Sequence, residues 1–161
     1  MSYDAKSILD TAISEEIKAS RFYSNLALQM EEKGVRLKFD DMAAVEMNHY
    51  ELLFSYYQKK YQQRPVVQEM GELKIVRPET PSKTASFADA IKVIMDTEFK
   101  AYEFYRKAAA SATVGKEQEI FTMLARVERS HYEFFRSEYH YTTEAMIRFA
   151  SEDIPWMMEV S

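Results

Sequence analysis

The sequence predicts an all-α chain folded as a four-helix bundle built from two repeated helical hairpins. Three observations carry that expectation. Glycine and proline leave four long uninterrupted segments, apolar residues recur in each at helical spacing, and the second half of the chain repeats the first at a shift of 82 residues.

The three glycines (Gly34, Gly71, Gly115) and four prolines (Pro65, Pro78, Pro81, Pro155) bound segments of about 5–32, 35–63, 87–112 and 116–141. Each is rich in the strong helix formers Ala, Leu, Glu, Lys and Met. The first carries the stripe Leu9, Ala12, Ile13, Ala19, Tyr23, Leu26, Met30, and the second Phe39, Met42, Ala43, Tyr50, Leu53, Tyr57. The third opens on a capping-box-like Ser86-Phe87-Ala88-Asp89 and carries Ile91, Ile94, Met95, Ala101, Tyr102, Tyr105, Ala109. The fourth carries Phe121, Leu124, Ala125, Tyr132, Phe135, Tyr139. No segment alternates with period two, so no strand is expected.

The repeat aligns Phe22 with Phe104, Tyr23 with Tyr105, Phe39 with Phe121, Ala43 with Ala125, Tyr50 with Tyr132 and Tyr57 with Tyr139. One hairpin cannot bury its own apolar stripe, so the two copies are expected to pair. Short turns at Gly34 and Gly115 make helices 1 and 2, and helices 3 and 4, antiparallel neighbours. The stretch from Arg64 to Ala85 is far longer. A 26-residue helix measures about 40 Å, and some 20 extended residues reach about 65 Å. The linker can therefore run the bundle's length and start helix 3 parallel to helix 2, which is the ferritin-like crossover. Residues 1–141 are read as this bundle. Residues 142–161 are read as part of the same domain: a short C-terminal helix near Thr143 to Ser151, then a tail, Ile154-Pro155-Trp156-Met157-Met158.

Composition narrows the function classes. The chain has 161 residues, a net charge of −5 and no cysteine. No sustained basic face exists, which argues against nucleic-acid binding. No apolar run nears the ~18 residues of a membrane span, and Met1-Ser2-Tyr3-Asp4 does not resemble the start of a secretory signal. A cytoplasmic protein is the expectation. Absence of cysteine excludes disulfides, thiolate metal sites and iron–sulfur or rubredoxin-type centres within this sequence.

Two Glu-x-x-His words, Glu46-Met47-Asn48-His49 and Glu128-Arg129-Ser130-His131, use two of the three histidines. A Glu lies thirty residues before each, Glu16 and Glu98, on the same apolar stripes. On a helix, i and i+3 share a face, so each word offers an oxygen and a nitrogen to one point. In a chain with 19 Glu, a Glu three residues before a His arises by chance about once in eight, so the word alone is weak. Burial strengthens it. Core carboxylates cost several kcal/mol each unless paired, and no Lys or Arg shares the stripes. Two divalent cations balance four carboxylates. Mixed oxygen and imidazole ligation suits iron, manganese or zinc, and a six-ligand dinuclear box points to iron or manganese. Glu46 and Glu128 would bridge, Glu16 and Glu98 would be terminal, and His49 and His131 would bind one ion each.

The words Glu16-Ile-Lys-Ala-Ser-Arg-Phe-Tyr23 and Glu98-Phe-Lys-Ala-Tyr-Glu-Phe-Tyr105, each followed by Glu-x-x-His, resemble the ferritin-like di-iron domain of the rubrerythrin family over about residues 5–141. The resemblance implies a centre of two iron ions held by the same six residues, reacting with hydrogen peroxide or oxygen. Many members carry a rubredoxin domain that supplies electrons. This sequence lacks its cysteines, so an external electron donor, a rubredoxin-like protein or a reductase, is implied. The family's additional Glu one turn after the helix-3 ligand, associated with iron movement during peroxide reduction, is replaced here by Ala101. Iron oxidation and storage, or a metal-binding bundle without turnover, are the alternative readings.

Other residues receive plainer assignments. Tyr23, Tyr50, Tyr102, Tyr105 and Tyr132 are expected to pack in the core with a polar tip, with hydrogen bonding to ligand carboxylates as the other reading. His140 is expected at the surface, and the methionines as core filler. Val66, Val67 and Trp156 suggest apolar surface seeking cover, hence a homodimer. No phosphate-binding loop, dinucleotide fingerprint or Ser–His–Asp set can be built from these residues.

Overall fold

A computed structural model of the chain describes residues 4–66 and 87–152, which form four α-helices: α1 (Ala5–Gln29), α2 (Lys33–Tyr61), α3 (Phe87–Ser111) and α4 (Lys116–Glu152). Helix α1 starts because the Asp4 carboxylate accepts from the Ser7 backbone N–H at 3.0 Å, satisfying a donor that the first turn leaves free. Its last turn ends at Met30, whose carbonyl accepts from the Arg36 guanidinium at 2.9 Å and so ties the turn to α2. Helix α2 stops at Gln62 in the left-handed conformation. Gly115, at φ +146°, lets the chain reverse into α4 in a conformation that a side chain would strain.

The short fifth helix expected near Thr143 to Ser151 is corrected: these residues are helical, but they continue α4 without a break. Neither glycine nor proline stands between Gly115 and Pro155. The Thr142 and Thr143 hydroxyls donate back to the carbonyls of Glu138 and Tyr139, both at 2.8 Å, rather than capping a new helix. The tail at 154–158, Val67 and the Ser86 cap lie outside the described residues.

The apolar residues gather in two clusters rather than one core. The first joins Leu9 and Ile13 of α1, Leu53 and Tyr57 of α2, Tyr105 and Ala108 of α3, and Phe121 and Leu124 of α4. The second joins Tyr23 and Leu26, Phe39 and Ala43, Ile91 and Ile94, and Phe135. The start of α1 therefore lies with the ends of α2 and α3 and the start of α4. Helices α2 and α3 run parallel, and the chain between them must travel from one end of the bundle to the other. That is the crossover the linker length predicts.

The 82-residue shift carries one cluster onto the other: Leu9 onto Ile91, Tyr23 onto Tyr105, Phe39 onto Phe121, Leu53 onto Phe135. The internal two-fold relation thus runs across the bundle and exchanges its ends. Methionine fills the core only in part. Met42 is buried, whereas Met47 and Met123 are exposed. His140 is exposed, as expected. No described helix is long and apolar enough to cross a membrane.

Candidate metal centre

Between the two clusters lies a polar layer. Going along each helix, the apolar stripe is interrupted once, at Glu16 on α1, Glu46 and His49 on α2, Glu98 on α3, and Glu128 and His131 on α4. The structure brings all six sequence-predicted residues together there. The four carboxylates are 2–3% exposed, His49 is buried, and the His131 side chain retains 15% exposure.

The layer resolves into two overlapping donor sets, each with one ligand atom per residue and all atoms within 4.8 Å of one another. One set is Glu16, Glu46, His49 and Glu128; the other is Glu46, Glu98, Glu128 and His131. Glu46 and Glu128 belong to both. His49 Nδ1 lies 3.1 Å from Glu46, 3.3 Å from Glu128 and 3.5 Å from Glu16. His131 Nδ1 lies 3.2 Å from Glu98, 3.4 Å from Glu128 and 3.7 Å from Glu46. The two rings are nearly parallel, with centroids 6.0 Å apart. Each imidazole turns the same nitrogen into a nest of three carboxylates.

The electrostatics are those of a site built for positive charge. Burial and the neighbouring charge of Glu128 push Glu46 well above the ordinary carboxylate range. Burial raises Glu98 to about 7, although His131 pulls it down. Burial also opposes ionisation of Glu128, but contacts with His131 and His49 outweigh it and hold the group at about 2. Two carboxylates at this range ionise in steps, so one of the pair keeps its proton longer. Burial disfavours the imidazolium forms, yet the surrounding carboxylates win, raising His49 to about 12 and His131 to about 10.

Two imidazoles cannot satisfy four carboxylates. Glu16 Oε2, Glu46 Oε1 and Glu128 Oε1 are fully buried and receive no hydrogen bond; each faces only an imidazole Nδ1, at 3.5, 3.7 and 3.3 Å, that it shares with other carboxylates. Such atoms are costly unless a cation meets them. Oxygen and imidazole donors in two four-residue sets fit two divalent ions of the iron or manganese kind, with thiolate chemistry absent.

The layer also contains two residues whose partners the sequence did not identify. The Tyr23 hydroxyl donates to Glu98 Oε1, and the Tyr105 hydroxyl donates to Glu16 Oε1. Both tyrosines are fully buried, and burial followed by the adjoining negative charge pushes their ionisation well above the ordinary phenol value. Each lies seven residues after the Glu of its own helix, two turns along the same face, and that spacing was the available signal. Tyr50, Tyr102 and Tyr132 are only partly buried and make no such bond among the described residues.

Comparison with known proteins accords with this geometry. The Rubrerythrin family profile matches residues 7–139. No curated protein matches at a significant level. Among solved structures, a hypothetical protein from Pyrococcus furiosus is similar at 27% identity and TM-score 0.70, over 86% of this chain and 89% of that one. A bacterioferritin from Rhodobacter capsulatus with a metal-free dinuclear site is similar at 21% identity and TM-score 0.70, over 89% of each chain. A dodecameric thioferritin from Bacteroides fragilis is similar at 22% identity and TM-score 0.70, over 91% of this chain and 92% of that one. With four helices, an end-to-end crossover and a profile match spanning both hairpins, the chain is a ferritin-like bundle belonging to the rubrerythrin family.

Proposed function

We propose that the chain is a rubrerythrin-type oxidoreductase whose six central residues hold a carboxylate-bridged pair of iron ions. The observation that carries this reading is the sharing of Glu46 and Glu128 between two donor sets. Those two residues would be shared by both ions, Glu16 and Glu98 would each serve one, and His49 and His131 would complete the two sets. When bound in the ferrous state, the pair supplies the two electrons that reduce hydrogen peroxide to two waters, or that begin the reduction of oxygen.

The protein's own contribution is position and dryness. Tyr23 and Tyr105 fix the orientation of the terminal carboxylates, each from the opposite hairpin. The clusters above and below exclude water along the bundle axis, so charge inside the layer is screened little. Apolar Ala101, 5% exposed, supplies no further carboxylate. The electrons are replaced by an external carrier.

The test is to load metal-free protein anaerobically with ferrous iron and add one equivalent of peroxide per site. Rapid oxidation of two irons per chain is expected. Slow or sub-stoichiometric oxidation overturns the peroxide reading, and uptake far beyond two irons per chain would mark iron storage instead.

A further inference from the structure

The internal repeat makes the two outer faces of the bundle comparable residue by residue, and they differ. Outside α3 and α4, two adjoining clefts of about 380 and 250 Å³ share Phe99 and Tyr132 as walls. Phe99 is 47% exposed, and its ring lies 5.5 Å from that of Tyr132 and 5.9 Å from that of Tyr102. The Arg129 guanidinium stands over Tyr102 at 6.0 Å and pairs with no carboxylate among the described residues. Arg126, one turn earlier on the same exposed face, has none either. At the equivalent places on the first hairpin stand Ile17, Ser20, Ala44, Met47 and Tyr50, so that face keeps one tyrosine, stacked on Phe54 at 5.5 Å, but has no counterpart of Phe99 or of the two guanidiniums. The α1 part of that side is also covered: Asp10, Thr11, Ser14 and Glu15 are buried, and Asp10 accepts from the Val66 backbone N–H at 2.8 Å, while Ala44 and Met47 of α2 stay exposed.

The open face backs directly onto the polar layer. Phe99, Arg129 and Tyr132 each follow a residue of the second donor set, Glu98, Glu128 and His131. His131 is also the more exposed of the two central histidines. We propose that the α3–α4 groove is the docking surface for an acidic one-electron carrier that reduces the centre beneath it, a proposal that rests on the di-iron reading above. The cleft carboxylates Asp96 and Glu133 are paired with Lys100 and Arg136, so the two unmatched guanidiniums beside the exposed aromatic centre complement a carrier with an acidic rim around its redox group, in a protein whose overall charge would otherwise repel it. Small transient contacts of this kind need less than about 1,200 Å² of buried surface. Each encounter oxidises the carrier by one electron. Two encounters return the two electrons that peroxide takes up, with two protons, as its O–O bond is converted to two waters.

The experiment uses the full chain and an acidic plant-type [2Fe–2S] ferredoxin as probe, with basic cytochrome c as counter-probe. Binding to metal-free protein is followed by NMR shift changes or anisotropy at low and high salt. The face variant is Arg126→Glu with Arg129→Glu, and the control is Arg21→Glu with Lys59→Glu on the first hairpin, where both cations are exposed. Ferredoxin binding should weaken at least tenfold in the face variant and with added salt, and hold in the control. In iron-loaded protein, reduction by ferredoxin should slow by a similar factor while oxidation by peroxide keeps its rate. Equal loss in the control, no ferredoxin binding, or equally tight cytochrome c binding overturns the docking surface. So does a dimer that Phe99→Glu dissociates, because a second copy then occupies the groove. Failure of peroxide to oxidise two irons per chain instead overturns the di-iron reading.

Discussion

The hydroxyl of Tyr23, on the first hairpin, donates to the carboxylate of Glu98 on the second, and Tyr105 returns the same bond to Glu16. The two hairpins are latched crosswise through two acids of the central polar layer. Tyr23→Phe and Tyr105→Phe should therefore each destabilise the metal-free protein by about 1–3 kcal/mol, the cost of leaving a buried acceptor unmet. Each should also lower metal affinity by roughly 10- to 100-fold through the loosened carboxylate. Denaturant melts and metal titrations check this, and near-equal effects at the two sites are expected from the two-fold relation.

Metal-free protein should lose stability as pH rises. Glu98 moves from 4.5 to about 7 on folding, His49 from 6.5 to about 12 and His131 from 6.5 to about 10. A raised folded value means the contribution is complete below the unfolded value and is lost as pH climbs toward the folded one. Glu98 loses its share between 4.5 and about 7, and the histidines lose theirs from 6.5 upward. Glu128 behaves oppositely: lowered to about 2, it contributes above 4.5 and fails only in strong acid. Thermal midpoints of chelator-treated protein should fall from about pH 5 to pH 9. Bound metal should reverse the slope, because its ligands must be deprotonated.

Glu46→Gln replaces a carboxyl whose ionisation burial and Glu128 oppose, and leaves the volume unchanged. The metal-free variant should be as stable as the parent or more so, while the stabilisation gained on adding ferrous or manganous ion should be lost. Paired melts with and without metal separate this from a scaffold role, in which added metal would change neither protein.

Phe39 and Phe121 are fully buried equivalents in opposite clusters. Replacing either with Ala should cost about 3–5 kcal/mol. Similar losses of denaturation midpoint for the two would show that both clusters belong to one cooperative unit, and a second transition in either variant would contradict that.

The four helices, the crossover and all six central residues could be read from the sequence because each rests on spacing. Glu16 and Glu98 stand out where an apolar residue belongs, and the histidines share a face with Glu46 and Glu128. What spacing does not encode is which side chain meets which across the hairpins. The acceptors of Tyr23 and Tyr105 depend on how the two copies are set side by side, so their placement on a stripe revealed burial but not partner. The run of α4 through Thr142 and Thr143 is likewise not written in the apolar spacing; there the hydroxyls bond back to the preceding turn and the helix continues.

The two-fold relation that exchanges the ends of the bundle has a consequence for how the chain is joined. Copies related in this way present the exit of one hairpin and the start of the next at opposite poles, so any covalent joint between them has to span the molecule. Each donor set also borrows one carboxylate from the other hairpin, Glu128 in one case and Glu46 in the other. Severed within the crossover, the halves would remain complementary, but retention of metal would become a matter of dilution. The tether converts a concentration-dependent association into a property of a single molecule.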